Sequence, residues 1–555
     1  MRLKGAEVLV QVLIEQGVDC IFGYPGGAVL DIYDALYKAQ DRIRHVTTCH
    51  EQGATHAADG YARVTGRPGV VIATSGPGAT NLVTGIANAY LDSVPLVAIT
   101  GNVARALIGR DSFQEVDITG ITMPITKHNY MVKDVDRLAD TVRAAFRLAA
   151  SGRPGPVLID IPKDMQTSLT EYVPAAPVTK TNNSSVDAAS LDAALALIAS
   201  SERPYIYSGG GVVISDASAE LLALADRLDC PIGTSMMGLS AVPYDNPHFL
   251  GMSGMHGGYA ASKALSMADL IIAIGTRFSD RATGNKQAYQ TGRKILHIDI
   301  DAAEIDKNIV SSESVVGDVK QVLRRLLDAG VQRKPSDWAE QVHKVKSSAE
   351  SRPEMPNDRL NPRSAIEAVN ARLRPDDVVA TDVGQHQLWT AQYYHFRRPR
   401  TFVTSGGLGT MGYGFGAAIG ACFGRGKKRT VLFTSDGSFH MNMNEMATAV
   451  SHDLPVLVVV LNNRVLGMVR QWQTLFYENR FSNTSLARRT NYAALADAFG
   501  AKGYRVESLE ALNNALDEAL GLDGPALIDV CIDCDDKVLP MIPPGGTIED
   551  IILKG

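Results

Sequence analysis

Short β-branched and aliphatic runs alternate with longer stretches of helical period along the whole chain. This pattern predicts parallel sheets covered by helices. Gly69 to Thr74, Pro95 to Thr100 and Pro156 to Ile161 read as buried strands in the first third. Tyr205 to Ser208, Leu270 to Ile274 and Lys294 to Ile298 do so in the middle. The last part offers Val378 to Thr381, Thr401 to Thr404, Thr430 to Thr434, Pro455 to Leu461 and Ala526 to Val530. Near the start, Gln11, Glu15 and Gln16 interrupt Val8-Leu9-Val10 and Val12-Leu13-Ile14, which predicts an amphipathic helix and not a signal peptide. Two stretches lose the periodicity: Pro174 to Asp187, rich in Pro, Thr, Asn and Ser, and the charged Lys334 to Pro362 with four prolines. Read as linkers, they divide the chain into 1–170, 188–332 and 363–555, three α/β domains with doubly wound parallel sheets.

The pattern also repeats. Shifting the chain by 360 residues lays Val71 to Asn102 on Val431 to Asn462 without a gap. Thr74-Ser75 meets Thr434-Ser435, and Pro95 and Asn102 meet Pro455 and Asn462. Any two βαβ units share this period, so the alternative to duplication is coincidence of one common motif. The two stretches differ at one chemically important place, where Gly76 faces Asp436.

Composition narrows the class. The 555 residues are 45% apolar and 21% charged, as in a soluble globular protein. A net charge of −6 argues against a nucleic-acid partner. No apolar run approaches the roughly 18 residues of a membrane span. Six cysteines do not make a disulfide scaffold, and a reducing cytoplasm is expected. Cys531-Ile532-Asp533-Cys534 has redox or zinc spacing, but no second such pair completes four ligands, so it reads as a strand end.

Candidate chemistry concentrates in the last domain. Thr430 to Thr434 precedes the turn Ser435-Asp436-Gly437-Ser438, and the next strand ends at Leu461-Asn462-Asn463. Strand C-termini of an open parallel sheet share one edge, so Asp436 and Asn463 converge there. A carboxylate and a carboxamide oxygen suit Mg²⁺, which keeps phosphate oxygens in its other positions. The N–H groups from Gly437 onward suit an anion. The competing motif is Gly407-Leu408-Gly409-Thr410-Met411-Gly412, a GxGxxG after a strand, with Asp436 downstream as a ribose acid. That reading, a nicotinamide-dependent dehydrogenase, leaves Asn462-Asn463 without a task.

Asp-Gly followed after 24 residues by Asn-Asn resembles the signature of thiamine diphosphate (ThDP) enzymes, with Ser435 where Gly is usual. Cys49-His50-Glu51-Gln52-Gly53-Ala54 through Asp59-Gly60-Tyr61-Ala62-Arg63 is similar to the helix of their activating glutamate. Thr74-Ser75-Gly76-Pro77-Gly78-Ala79-Thr80-Asn81 is similar to the turn that follows it. The resemblance implies one copy for the pyrimidine and the other for the diphosphate. It makes Glu51 the carboxyl group at the far ring nitrogen and Met411 the side chain beneath the bent cofactor, with Gly409 beside it. Val383, Gln385, His386, Gly437 and Ser438 would contact ThDP. Asp436, Asn463 and the carbonyl of Val465 would hold Mg²⁺.

Within those enzymes the chain resembles the acetohydroxyacid (acetolactate) synthase family, catalytic subunits. The resemblance rests on Gly23 to Ala28, Phe113-Gln114-Glu115, Pro162-Lys163-Asp164, Val383 to Gln387, Gly467 to Gln473 and Pro540 to Gly546. It implies condensation of pyruvate with pyruvate or 2-oxobutanoate, with loss of CO₂, in branched-chain amino acid synthesis. Gly27, Gln114 and Lys163 would join Glu51 at the reacting end, with Phe113 and Met468 against the substrate. Arg281 would grip the acceptor carboxylate and Trp472 would pack its side chain. Gly209, Gly210, Gly211, His256, Gly275, Arg277 and Asp299 match FAD-binding segments of the biosynthetic members, in which the flavin takes no part in the net reaction. Ser279 and Ala104 depart from the family pattern. The family further implies a homodimer or tetramer, with a separate small regulatory subunit because the chain stops at Gly555. The runner-up is another ThDP enzyme of this plan, a pyruvate oxidase or a catabolic acetolactate synthase.

Overall fold

A computed structural model describes residues 1–179, 186–351 and 359–554. It contains three six-stranded sheets, each wholly parallel, separated along the chain. The first is built from Cys20–Gly23, Arg44–Thr47, Gly69–Ala73, Leu96–Asn102, His128–Met131 and Pro156–Pro162. Counted in chain order within the sheet, its spatial order is 2-1-3-4-6-5. The third, from Val378–Thr381, Phe402–Val403, Thr430–Ser435, Val456–Asn462, Lys502–Val506 and Ala526–Cys531, has the same order. The shift of 360 places Leu96–Asn102 on Val456–Asn462 residue for residue. The middle sheet differs. Pro204–Ser208, Ile232–Thr234, Phe249–Met252, Leu270–Ile274, Lys294–Asp299 and Glu313–Val316 run 3-2-1-4-5-6, the order of dinucleotide-binding sheets.

Helices cover both faces of each sheet, so the inner strands are apolar throughout instead of alternating; Val456–Asn462 is buried along its whole length. The predicted first helix spans Gly5–Glu15 and buries Val8, Leu9, Val10, Val12 and Leu13. Arg2–Lys4 before it pairs antiparallel with Leu169–Glu171 and ties the start of the first domain to its end. The first and third domains meet through helices Glu51–Thr65 and Tyr413–Gly424. These approach so closely that a Cβ on Gly60 would meet the carbonyl oxygen of Ala417, and one on Gly420 that of Ala57. Small residues at these positions let two backbones pack without an intervening layer of side chains.

The expected linker from Lys334 to Pro362 needs correction. Trp338–Ser347 is a helix, and Trp338 is fully buried with its indole N–H donated to Pro204 O at 2.8 Å. One tryptophan among charged residues leaves the composition that of a linker while anchoring the segment to the central domain. Residues 352–358 of that stretch, and 180–185 of the other expected linker, lie outside the described residues. Among the described residues no helix is long and apolar enough to cross a membrane.

Candidate active site

The C-terminal edge of the third sheet carries a cavity lined by Val383, Gln385, His386, Met411, Asn463 and Met468, with Ser435 and Val465. The lining comes from the ends of four strands: Val383, Gln385 and His386 follow Val378–Thr381, Met411 follows Phe402–Val403, Ser435 ends Thr430–Ser435, and Asn463, Val465 and Met468 follow Val456–Asn462. Asp436 opens helix Asp436–Asn442 and is buried, and its Oδ1 has no hydrogen-bond partner among the described residues. Burial pushes its carboxyl up to about 7. Asn463 donates to Gln385 Oε1 at 3.2 Å, and its Oδ1 accepts a long bond from Val465 N, 3.3 Å. Ser435 caps the helix by accepting from Ser438 N, and Ser438 Oγ donates to Val383 O at 3.0 Å. His386 is buried with Nε2 unpartnered, and burial holds the ring neutral, its pKa down at about 3. An unpaired buried carboxylate oxygen costs ~1–3 kcal/mol or more, a cost that a cation bound at Asp436 would offset. The donor set fits a hard cation and a diphosphate.

Met411 sits on the loop between Phe402–Val403 and helix Tyr413–Gly424. Gly409 and Gly412 there hold φ of +70° and +88°. Asp382 accepts Gly412 N at 2.7 Å and the Thr434 hydroxyl at 3.1 Å, and Asn442 donates to Gly412 O. The GxGxxG glycines thus follow an edge strand and serve a loop, where the dehydrogenase reading needs the first strand of a dinucleotide sheet.

The first domain assembles a second group. Glu51 opens its helix, and its Oε2 accepts from Asn81 Nδ2 at 2.9 Å. Lys163 Nζ donates to Gly27 O at 2.9 Å and pairs with Asp31 at 3.2 Å. Gln114 holds φ +59°, packed against Gly76, where any Cβ would meet it at 2.9 Å. Phe113 beside it is 87% exposed, a large ring presented to solvent. None of these residues lines the cavity of the third domain.

In the central domain Gly209, Gly210 and Gly211 follow the first strand, and Gly275 and Arg277 follow the fourth. These strands are neighbours at the point where the order reverses, the usual crevice for a ligand. Gly275 has φ +58°, and Gly211 N donates to Gly275 O at 3.0 Å. Ser208 Oγ and Thr234 Oγ1, at two adjacent strand ends, and His256 Nδ1 are buried without partners. Burial pushes Asp299 up to about 6 and His256 down to about 4. The glycines let the two turns pack backbone to backbone, since a Cβ on Gly211 would meet Gly275 Cα at 2.6 Å, and the orphaned atoms beside them fit a polar ligand. Arg281 reaches out of this domain to lie 5.5 Å over the ring of Trp472 in the third, a cation–π pair across domains.

Three family models match in succession: the N-terminal thiamine pyrophosphate (TPP) binding domain of thiamine pyrophosphate enzymes over residues 3–121, their central domain over 191–326, and their C-terminal TPP binding domain over 382–530. The chain is 44% identical to a probable acetolactate synthase large subunit of Methanocaldococcus jannaschii, across 99% of this chain and 95% of that one. It is 44% identical to the acetolactate synthase large subunit of Corynebacterium glutamicum, across 99% and 90%. It is 42% identical to the isozyme 2 large subunit of Escherichia coli, across all of both chains. The chain belongs to the acetolactate synthase large-subunit family of thiamine pyrophosphate enzymes.

Against that family's expected site, the structure gathers Val383, Gln385, His386, Met411, Asn463, Val465 and Met468 in one cavity, with Asp436, Gly437 and Ser438 at its edge. It brings Arg281 to Trp472 and Lys163 to Gly27. It does not bring Glu51 into that cavity. Residues to which the sequence assigned no role are those that hold the others. Gln471 accepts from Gln385 Nε2 at 3.0 Å and bonds the Val538 backbone in both directions. Glu445 accepts from Cys49 N and His50 N, just before Glu51. Asp382, which follows Val378–Thr381, received no role from the sequence and holds the Met411 loop through Gly412 N.

Proposed function

We propose that this protein is an acetolactate synthase, condensing pyruvate with pyruvate or 2-oxobutanoate, with loss of CO₂, in branched-chain amino acid biosynthesis. The observation that carries the reading is the buried, unpartnered Asp436 oxygen beside Asn463, in a chain similar end to end to proteins of that name. Bound ThDP supplies the electron sink that lets a 2-oxoacid lose CO₂. Asp436, Asn463 and the carbonyl of Val465 would hold Mg²⁺, and Gln385, His386 and Ser438 the diphosphate. Glu51 would hold a proton at the far ring nitrogen. Gln114, Lys163 and Gly27 would orient the reacting end, with Phe113 excluding water. Arg281 would take the acceptor carboxylate in its guanidinium fork while Trp472 and Met468 pack the side chain. One methylene is worth ~1–3 kcal/mol, which bounds the preference between acceptors at roughly 10–200-fold. FAD, whose role would be structural, suits the central crevice.

Glu51 does not line the cavity of its own chain, and Phe113 is exposed; both favour a homodimer in which each site takes Glu51 from the partner subunit. The relatives' designation as large subunits supports a separate small subunit, and no part of the reading needs a membrane or nucleic acid. The test is acetolactate formation from pyruvate with ThDP and Mg²⁺, with FAD added or omitted. Product that needs all three is expected. Product without FAD points to a catabolic synthase, and no product despite bound ThDP overturns the reading.

A further inference from the structure

The first and third domains exchange buried carboxylates at two places the proposed reaction does not use. Asp92, after helix Val83–Leu91 of the first domain, accepts Gly407 N at 2.7 Å on Oδ1 and Gly406 N at 3.0 Å on Oδ2. Those two residues begin the loop that ends at Met411 and Gly412. A Cβ on Gly407 would meet Asp92 Oδ1 at 2.9 Å, so the N–H groups reach the carboxylate only because these positions lack side chains. Asn88, one helical turn earlier, accepts the hydroxyls of Ser405 and Thr410 at 2.5 and 3.2 Å. Behind them Arg63 binds Asp92 at 2.8 Å and Asp59 at 2.6 Å, and Tyr413 donates to Asp59 at 2.6 Å.

The reverse contact has the same form. Glu445, opening helix Glu445–Ser451 of the third domain, accepts His50 N at 3.1 Å and Cys49 N at 3.2 Å, with the Thr448 hydroxyl at 2.6 Å. Cys49 and His50 lead directly into Glu51. Each domain therefore fixes, through two successive backbone N–H groups, the turn on which the other presents a side chain to the cofactor. Charge-assisted bonds of this kind, sheltered from water, are short and directional. Neither carboxylate lines the cavity.

We propose that Asp92 and Glu445 are reciprocal positioning residues: Asp92 sets the height of Met411, and Glu445 sets the reach of Glu51. The inference rests on the ThDP reading for its catalytic consequence but not for its geometry. Asp92→Asn and Glu445→Gln keep the shape of each side chain and remove the second acceptor. Amide deuterium exchange of the full-length, cofactor-free chain is expected to rise at 405–412 in the first variant and at 48–52 in the second, each leaving the other segment unchanged. With ThDP and Mg²⁺ bound, each variant is expected to slow deuterium exchange of the thiazolium C2 proton and to lower kcat about ten- to a hundredfold, KM for pyruvate being unaltered. Ser405→Ala, a milder change on the same loop, is expected to act in the same direction if Asp92→Asn folds poorly. Unchanged amide exchange at both segments overturns the clamp. Lower thermal midpoints with C2 exchange and kcat intact reduce it to a structural contact and overturn the positioning role. Raised amide exchange in a protein that makes no acetolactate supports the clamp and removes the functional reading instead.

Discussion

The first and third sheets share one strand order and one register of repeat, yet the edges they present are chemically opposite. At the turn after the third strand the first domain has Gly76, with φ +58° and Gln114 packed on it. The third has Asp436, buried, with an oxygen to spare. One edge is closed by a packed backbone turn, and the other carries a buried carboxylate with a free oxygen. A deeper likeness survives beneath this. In both domains the asparagine ending the fourth strand donates to a buried aspartate on the sixth: Asn102 to Asp160 at 2.6 Å, and Asn462 to Asp529 at 2.8 Å. The two frameworks agree and the two edges differ, as expected when stability lives in the sheet and chemistry in the loops at its C-terminal side.

The largest test of that division loses function by two different routes. Glu51→Gln is expected to lower turnover about 10²–10⁴-fold while ThDP still binds, because only the proton-handling group is lost. Asp436→Asn is expected to weaken Mg²⁺-dependent ThDP binding itself, read by isothermal titration calorimetry. Equal loss of ThDP affinity in both variants would break the comparison, since the two edges would then share one task.

The buried strands were legible because they are continuous apolar runs. Leu270–Ile274 and Val378–Thr381 fall at the predicted bounds. Arg44–Thr47 and His128–Met131 were not legible, being sheet edges whose polar faces carry no such run. Asp436 and Asn463 could be placed because each lies immediately after a predicted strand, and strand ends share an edge whatever the rest of the fold does. Asp92, Glu445, Asp160 and Asp529 could not. Their partners lie across a domain boundary or on a strand distant in the chain, and nothing local marks a carboxylate for such a contact. The central domain shows the intermediate case. Ser208-Gly209-Gly210-Gly211 alone was a weak signal, and it gains meaning only where the strand order places Gly275 beside it.

The paired aspartates give the next test. Burial pushes Asp160 up to about 6 from an ordinary carboxylate value, against the pull of its hydrogen bonds from Asn102 and Thr100. Since the folded state holds the proton more tightly than the unfolded chain, the stability from this group is present below about pH 4 and is lost as pH rises through about 6. Asp160→Asn removes that dependence. The difference in unfolding free energy between native protein and variant is expected to change by roughly 2 kcal/mol between pH 4 and 7, in the variant's favour as pH rises. A constant difference across that range would show that Asp160 ionises in the fold without cost.

The smallest effect discriminates most finely, because it asks whether the two copies still obey one rule. Asp160 accepts a second bond, from Thr100 Oγ1 at 2.7 Å, and Thr100 is its register partner on the fourth strand. The residue 360 positions on is Val460, the register partner of Asp529. A valine has no donor, and Asp529 Oδ2 is left unpartnered in a buried site. Partners in a parallel register share a face of the sheet, so a hydroxyl at 460 would stand toward Asp529 as that of Thr100 does toward Asp160. Thr100→Val is therefore expected to destabilise the protein by about 1–3 kcal/mol, the cost of stranding a buried acceptor. Val460→Thr, nearly the same shape, is expected to stabilise it by about 0.5–1.5 kcal/mol, read as a shift in denaturant midpoint at constant slope. Destabilisation in both variants would mean that the third domain has repacked around its unpartnered oxygen, and that the likeness of the two sheets ends at the backbone.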